Sequence, residues 1–564
     1  MTPPPDDVIP APADRRRLVW ICTLLALVVL VVSMIIALAD SDEKDDGDVK
    51  EVKEVAVSHP SWCDKTGDIA RVDPGNDECI GVSDAASGYT FSSAYAPLKA
   101  VQEAIAAENQ AVTEAARTQP TSYFVDIAYV VPIPWHDLGV TPLASVTHQL
   151  EGAYARQLVN NQLDRPGHPP RVRLLIANTG YDSHSWQRVA TQLEALKANG
   201  RLVAVTGFGP SLDTTEQLLA ELAGVGIATL GTIITSDTLH GQLAGERSVP
   251  VRRIAPTNQE EIAAALHYMA AMTTGKRMVL VAPADNAKVD SYTKTLIEAF
   301  QQQNRTPTDL EFFDPNSPAY NATLENIAAR LCNSTDVNAV YFAGRASAGV
   351  HLTGEIGRRC GVNRKIKVFT GDAINDELST VPTQTEDWVT LRDALASGKV
   401  ELYYTGLAHP DQWGKANGLA NAQEMRQLSD RIGKLQHTEL YPLDDGDAIM
   451  AYDSILTLIE AVSQVSAGLA QPSPAIADLQ QLNNGFFTIT KKSPVCGASG
   501  PINLVRDDAE AAGLVGNTIN KPIALARIVV SQPDRTQLRS QFVELYYPRG
   551  SREWNGQCGF PQQP

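Results

Sequence analysis

Hydrophobic and polar positions change rhythm at Pro120. Before it, SSAYAPLKAVQEAIAAENQAV (92–112) places Ala, Leu, Ile and Val at helical spacing and predicts an amphipathic helix. After it, short runs of β-branched and aromatic residues alternate with helical patterns. YFVDIAYVVPIP (123–134) predicts a buried strand and LASVTHQLEGAYARQLVNNQL (143–163) a helix. RVRLLIAN, RLVAVTGFG and GIATLGTII predict further strands, separated by helices in SWQRVATQLEALKAN and TTEQLLAELAG. Such alternation predicts a parallel sheet with helices on both faces.

The stretch VPVRRIAPTNQEEIAAAL (249–266) interrupts this rhythm. Pro250 and Pro256 favour extended backbone around Val251–Ala255, and either Thr257 with Glu260 or Asn258 with Glu261 supplies a capping box for the helix that follows. The alternation then begins again: strands in KRMVLVAP, LEFF, NAVYFAG and KIKVFTG, helices in SYTKTLIEAFQQQ, ATLENIAARLC and GVHLTGEIGRRC. Two doubly wound units of comparable size thus flank a strut. The last third adds a strand in ELYYTGLAHP (401–410), a long helix in AIMAYDSILTLIEAVSQV (448–465) and a strand in KPIALARIVV (521–530). Read as one helix returning to the first unit and one strand to the second, they place three connections near Val251–Pro256, His409–Pro410 and Asn520–Pro522.

At the N-terminus, Leu18 to Ala39 is an uncharged apolar run about as long as a bilayer-spanning helix, preceded by Arg15, Arg16 and Arg17. The positive-inside rule keeps residues 1–17 in the cytoplasm and sends the rest of the chain out. Ala37-Leu38-Ala39 also fits a signal-peptide cleavage site, but the apolar core is long for that role, so an uncleaved anchor is expected. Cys22 lies within the run and reads as a core thiol. Residues 40–57 form an acidic tether, 58–120 a cysteine-bearing segment with its helix, and 549–564 a tail.

The six cysteines beyond the span, Cys63, Cys79, Cys332, Cys360, Cys496 and Cys558, suggest disulfides in an exported domain. Neighbour pairing is expected, above all Cys332 with Cys360, which end successive helices flanking one strand. A formal charge of −18, with no basic block, argues against a nucleic-acid partner.

Several pieces taken in order resemble the type 1 periplasmic binding-protein family, especially its branched-chain amino-acid and amide binders. They are VRRIAPTNQEEIAAAL, RMVLVAPADNAKVDSYTKTL, VYFAGRASAGVHLTGEIGRRCG, KVFTGDAIND, DAIMAYDSILTLIEAV and CGASGPINLVRDDAEAAG, within residues 121–548. The resemblance implies two Rossmann-like lobes, 121–252 plus 411–518 and 253–410 plus 519–548, joined by three crossings and closing on a ligand. By resemblance Ser211 and Thr214, in TGFGPSLDTTE, match the loop that holds a ligand carboxylate. Thr232 and Thr235 match the loop after the next strand, and Trp135 matches the first loop, where an aromatic covers the ligand. Asp372 matches the acidic partner of a ligand amino group. Arg345 stands where amino-acid binders place an aromatic, a departure that suits an anionic group instead. The usual tyrosine wall of lobe two is missing from the expected loop, Tyr292 falling on the helix. Each hydroxyl also reads as a helix cap or turn residue, Asp372 as an N-cap, and Trp135 as packing against its neighbouring loop.

Catalytic chemistry is not indicated: there is no G-x-S-x-G, no H-E-x-x-H and no P-loop lysine, and GFGPSL lacks the third glycine of a nucleotide fingerprint. His136, His148, His184 and His240 show no metal spacing, and Asp444 and Asp445 fall in a polar loop. The expectation is a non-enzymatic, single-pass, membrane-tethered solute-binding protein with its C-terminal domain outside the cytoplasm, no metal and no cofactor. Its partners would be a small polar molecule, such as an amino acid or amide, and an ABC-type permease or a membrane sensor. The alternative is an envelope scaffold or regulator on the same fold that binds nothing in its cleft.

Overall fold

The computed structural model describes residues 70–72, 78–83 and 89–560, less internal segments of which the longest are 135–140, 164–169, 240–251, 379–384, 468–481 and 505–515. The expected anchor 18–39, Trp135 and Cys63 lie outside the described residues.

Two seven-stranded sheets form two lobes. From edge to edge the first runs Ala70–Val72, Glu78–Ser83, Arg171–Asn178, Phe124–Val131, Leu202–Gly207, Ala228–Gly231 and Arg252–Arg253. All pairs after Glu78–Ser83/Arg171–Asn178 are parallel, as the strand–helix alternation predicts. The second runs Leu538–Tyr546, Ile523–Val530, Val400–Gly406, Ile366–Thr370, Val337–Phe342, Arg277–Pro283 and Thr308–Phe313, parallel except for the first two pairings. Apolar residues from both faces of each sheet are buried under helices: Ile127, Val131 and Leu174 on one face of the first sheet, Ala128, Val130 and Leu175 on the other. Burial on both faces explains why these strands read as near-continuous apolar runs.

The segment before Pro120 is built into the first lobe. Glu78–Ser83 pairs antiparallel with Arg171–Asn178, and the helix Ala96–Thr118 packs Leu98, Val101 and Ile105 into the lobe's core. The helix fixes this edge through Asn109, whose side chain bonds both the Leu174 amide, at 2.9 Å, and the Leu174 carbonyl, at 2.7 Å. The late helix Asp447–Ala467 returns to the same lobe and packs on Leu143–Asn161. It is long and apolar enough to cross a membrane, but most of it is buried here as a core helix. Two helices and a strand had no clear sequence signal: Glu386–Ser397, Ala420–Ile432 and the edge strand Leu538–Tyr546, whose mixed burial blurs the alternation of a half-exposed strand.

The strut crosses between the sheets as an extended segment. Arg252–Arg253 completes the first sheet, and Thr257 caps the next helix by a capping box with Glu260, its hydroxyl accepting the Glu260 amide and its own amide donating to the Glu260 carboxylate, both at 3.2 Å. Arg253 is fully buried. Its amide donates to Gly516 at 2.9 Å, its Nε to Asn517 Oδ1 at 2.8 Å, and its Nη1 to the carbonyl of Ser236 at 2.6 Å, so one side chain ties the first crossing to the third. The tail turns back across that third crossing. Asn520, held at φ +55°, accepts the amide of Arg549 at 2.7 Å and, through its carbonyl, the indole N–H of the buried Trp554 at 3.2 Å. Cys558 then closes a disulfide with Cys496 of the first lobe, S–S 2.07 Å. Cys332 and Cys360 form the expected disulfide, S–S 2.01 Å, in the second lobe; Cys79 is also disulfide-bonded.

Candidate functional site

The carboxyl ends of both sheets face one another, the place where open α/β sheets bind ligands. Between them lies a cavity of about 30 Å³, lined from the first lobe by Ser211, Ile233, Thr235 and Asp447 and from the second by Tyr292, Arg345, Asp372 and Asn375. That volume holds one or two waters.

Each lining residue is placed by its local element. Arg345 ends the loop after Val337–Phe342 and begins the helix Ala346–Arg359. Its side chain lies across the Tyr292 ring, 4.5 Å from the centroid, its Nε donates to Asp290 Oδ2 at 2.7 Å, and its Nη2 reaches the first lobe to donate to the carbonyl of Ser211 at 2.7 Å. Asp290 is also the N-cap of the helix Ser291–Gln303, so the helix start and the arginine share one carboxylate. Tyr292 is fully buried in the first turn of that helix and its hydroxyl accepts the amide of Ala373 at 3.1 Å. Asp372 heads the short 3-10 turn after Ile366–Thr370; its amide donates to Glu261 Oε2 at 3.2 Å, and its Oδ1 is enclosed without a protein donor.

A second set of bonds joins the lobes beside the cavity. The loop carrying Asp444, Asp445 and Asp447, expected as merely polar, is buried and bridges them. Asp444 accepts Arg539 Nε at 2.5 Å and the Ser540 amide at 3.2 Å; the Asp445 carbonyl accepts Asn375 Nδ2 at 2.8 Å. On the first-lobe side the Asp445 carboxylate meets His148 Nδ1 at 2.5 Å, and Ser145 donates to Asp447. The lobes are therefore held closed by the chain itself. The polarity of DDGD disguised this role, because the partners of these acids lie on another lobe and only the fold supplies them.

No protein-family model and no curated protein matches the chain in sequence. Solved structures do match. A leucine-binding protein from Thermotoga maritima aligns over 75% of this chain and 99% of its own, with TM-score 0.51 and 16% identity. An ABC-transporter substrate-binding protein from Aeropyrum pernix aligns over 76% and 96%, with TM-score 0.50 and 11% identity. The fold is that of a type 1 periplasmic binding protein.

Within this periplasmic binding-protein fold, four of the residues expected at a ligand site, Ser211, Thr235, Arg345 and Asp372, line one cavity. Thr214 and Thr232 do not. Thr214 donates to the Asp182 carbonyl at 2.7 Å, and Thr232 Oγ1 accepts the Gly207 amide at 3.1 Å, the strand-end and turn roles open to any hydroxyl. Trp135 is outside the described residues. Tyr292 lines the cavity too, from the helix Ser291–Gln303 rather than from the preceding loop. Asn375 and Asp447 carried no signal in the sequence beyond their nearness to FTGDAIND and DAIMAYDS.

Burial sets the electrostatics. It raises the Asp372 carboxyl to about 6 against the pull of Tyr292 and Arg345, and Glu151 to about 7. For His148 burial works downward, but Asp445, with Glu151 and Asp447, outweighs it and lifts the imidazole to about 9. The signs agree. Between about pH 4 and 7 the folded carboxyls hold protons that unfolded ones release, so stability falls as pH rises through that window. The His148 contribution is complete below its unfolded value near 6.5 and is lost by about pH 9. The urea midpoint is therefore expected to decline from about pH 5 to about pH 8, where the lowered Lys521 ammonium begins to oppose the trend, with His148→Gln flattening the limb above about pH 6.5. A midpoint constant across that range sinks the assignment.

Proposed function

We propose that the protein is an extracytoplasmic solute-binding protein, tethered to the membrane by residues 18–39, that closes its lobes over a small polar ligand for ABC-type uptake or sensing. In this reading the lobes are 121–252 plus 411–518 and 253–410 plus 519–548, extended by the N-terminal strand and helix. One observation carries the reading. Unpaired polar atoms from both lobes, Thr235 Oγ1 from one and Asp372 Oδ1 and Asn375 Oδ1 from the other, belong to residues that line a single inter-lobe cavity. A buried polar atom left without a partner costs about 1–3 kcal/mol, so three at one spot are the mark of a site that completes its bonding with a guest. The solved structures that share the fold include a leucine-binding protein and a substrate-binding protein of an ABC transporter, and support the same reading.

The closed cleft favours a second reading. Arg345 lies on the Tyr292 ring and reaches across the cleft to the Ser211 carbonyl, as in a scaffold that has exchanged its ligand for an internal clasp. A thermal-shift screen of the full-length protein, with amino acids, amides, short peptides, sugars and amines, separates the two. A solute at 100 times its dissociation constant adds about 2.7 kcal/mol to stability. Solute binding predicts a class of hits that Thr235→Val weakens; the scaffold predicts none, and no change in cells carrying Asp372→Ala.

A further inference from the structure

The nature of the guest can be taken further, on the footing of the solute-binding reading. The backbone amides of Thr235 and Ser236, which would receive a carboxylate on the first lobe, are already engaged. Ser211 Oγ accepts the amides of Thr235 and Ser236 at 2.9 and 3.1 Å, and Thr214 and Thr232 bond within their own lobe. The helix Asp213–Gly224, which opens beside Ser211, carries Asp213 and Glu216 in its first turn, so its positive end is offset by two acids.

The polar atoms without protein partners at the cavity are all oxygens. Thr235 is 1% exposed and Asn375 7%, and their Oγ1 and Oδ1 join Asp372 Oδ1 around the space that Asp447 also lines. Behind Asp372 lies Glu261, fully buried, its Oε1 likewise without a protein donor. Among the described residues one cation lines the cavity, Arg345, and its charge is matched by Asp290 at 2.7 Å. The remaining wall is acidic and rich in acceptors, with the Thr235 hydroxyl able to donate as well as accept.

We infer that the cleft takes a cation without a carboxylate, a primary ammonium or guanidinium compound, and not a zwitterionic amino acid. The cavity of about 30 Å³ admits an ammonium head. The volume for a longer body is held by Arg345, whose guanidinium lies on the Tyr292 face as an organic cation would. Burial, offset only in part by Arg345 at Asp372 and by His148 at Asp447, keeps Asp372, Glu261 and Asp447 above the ordinary carboxyl range. A bound cation reverses that balance and drives protons off.

The test measures thermal midpoints of the full-length protein and of Arg345→Ala at constant ionic strength. The probes are methylammonium, guanidinium and 1,4-diaminobutane, set against leucine, glutamate and acetate. The cations are expected to raise the midpoint of one or both proteins. Titration calorimetry in two buffers is expected to show proton release on binding, and Asp372→Asn to weaken the cation about 10- to 100-fold, the worth of one charge-assisted hydrogen bond. If Asp372→Asn does not fold, Thr235→Val gives the same comparison with a milder loss. Leucine or glutamate raising the midpoint while all three cations leave it unmoved overturns this inference and keeps the solute-binding reading. No shift by any probe in either protein overturns both.

Discussion

Replacing Asp453 by alanine is expected to remove about 3–5 kcal/mol of folding stability, the usual cost of breaking one side of a buried charged pair. Asp453 is fully buried on the long helix of the first lobe. Its carboxylate accepts the amides of Ala498 and Ser499, both at 2.7 Å, and the Ser499 hydroxyl; that hydroxyl in turn accepts Lys521 Nζ at 2.6 Å. Lys521 belongs to the third crossing and is also fully buried, and burial lowers its ammonium to about 8 despite Asp453. The truncated protein would keep a buried ammonium and two buried amides with nothing to receive them. Adding Lys521→Met is expected to recover part of the loss, since an apolar side chain needs no partner. Urea denaturation of the two variants decides it. A loss below about 1 kcal/mol in Asp453→Ala shows that the network does not hold the hairpin Val495–Gly497/Gly500–Ile502 to the helix.

Gly152→Val should come close in severity. Gly152 lies in the helix Leu143–Asn161 where it meets Asp447–Ala467, and a Cβ there would stand 2.0 Å from the carbonyl oxygen of Ala448. Helix propensity alone says the reverse, because glycine in a helix interior is about 1 kcal/mol worse than alanine. Packing wins here: the obstacle is backbone, which cannot rotate aside, and overpacking a tight core costs about 1–3 kcal/mol or more. Gly152→Ala is thus expected to lower stability despite its better propensity, and Gly152→Val to lower it by about 4 kcal/mol. The two helices carry the residues beside the cleft, His148 on one and Asp447 on the other, so any separation also disturbs the His148–Asp445 contact. A thermal midpoint for Gly152→Ala at or above the parent's would show that the helices are not in contact at this point.

The clasped cleft bears on both readings of function. Arg345, Asn375 and Asp444 each bond across the lobes, and on the solute-binding reading an incoming solute would compete with the first of them. Lobe closure then shifts with ligand only as far as the ligand prefers the closed state over the state without it. Removing Arg345 therefore both frees volume and weakens closure, which is why the wild type and Arg345→Ala are compared side by side.

Much of this architecture is written locally. The 3.6-residue and two-residue periodicities place the strands and helices of both lobes, the prolines around Arg252 and Arg253 mark the first crossing, and Thr257 with Glu260 writes the start of the helix after it, because each of these depends on neighbours in sequence. The resemblance to the type 1 periplasmic binding-protein family that the sequence carries also brought Ser211, Thr235, Arg345 and Asp372 forward. What tertiary structure alone decided is the state of the cleft. Whether a hydroxyl caps its own loop or faces a cavity, whether Tyr292 turns into the core, and whether Asp444 and Asp445 meet water or the opposite lobe are all settled by groups up to hundreds of residues away in the chain. Their energies depend on burial and distance, and those exist only once the two sheets have come together.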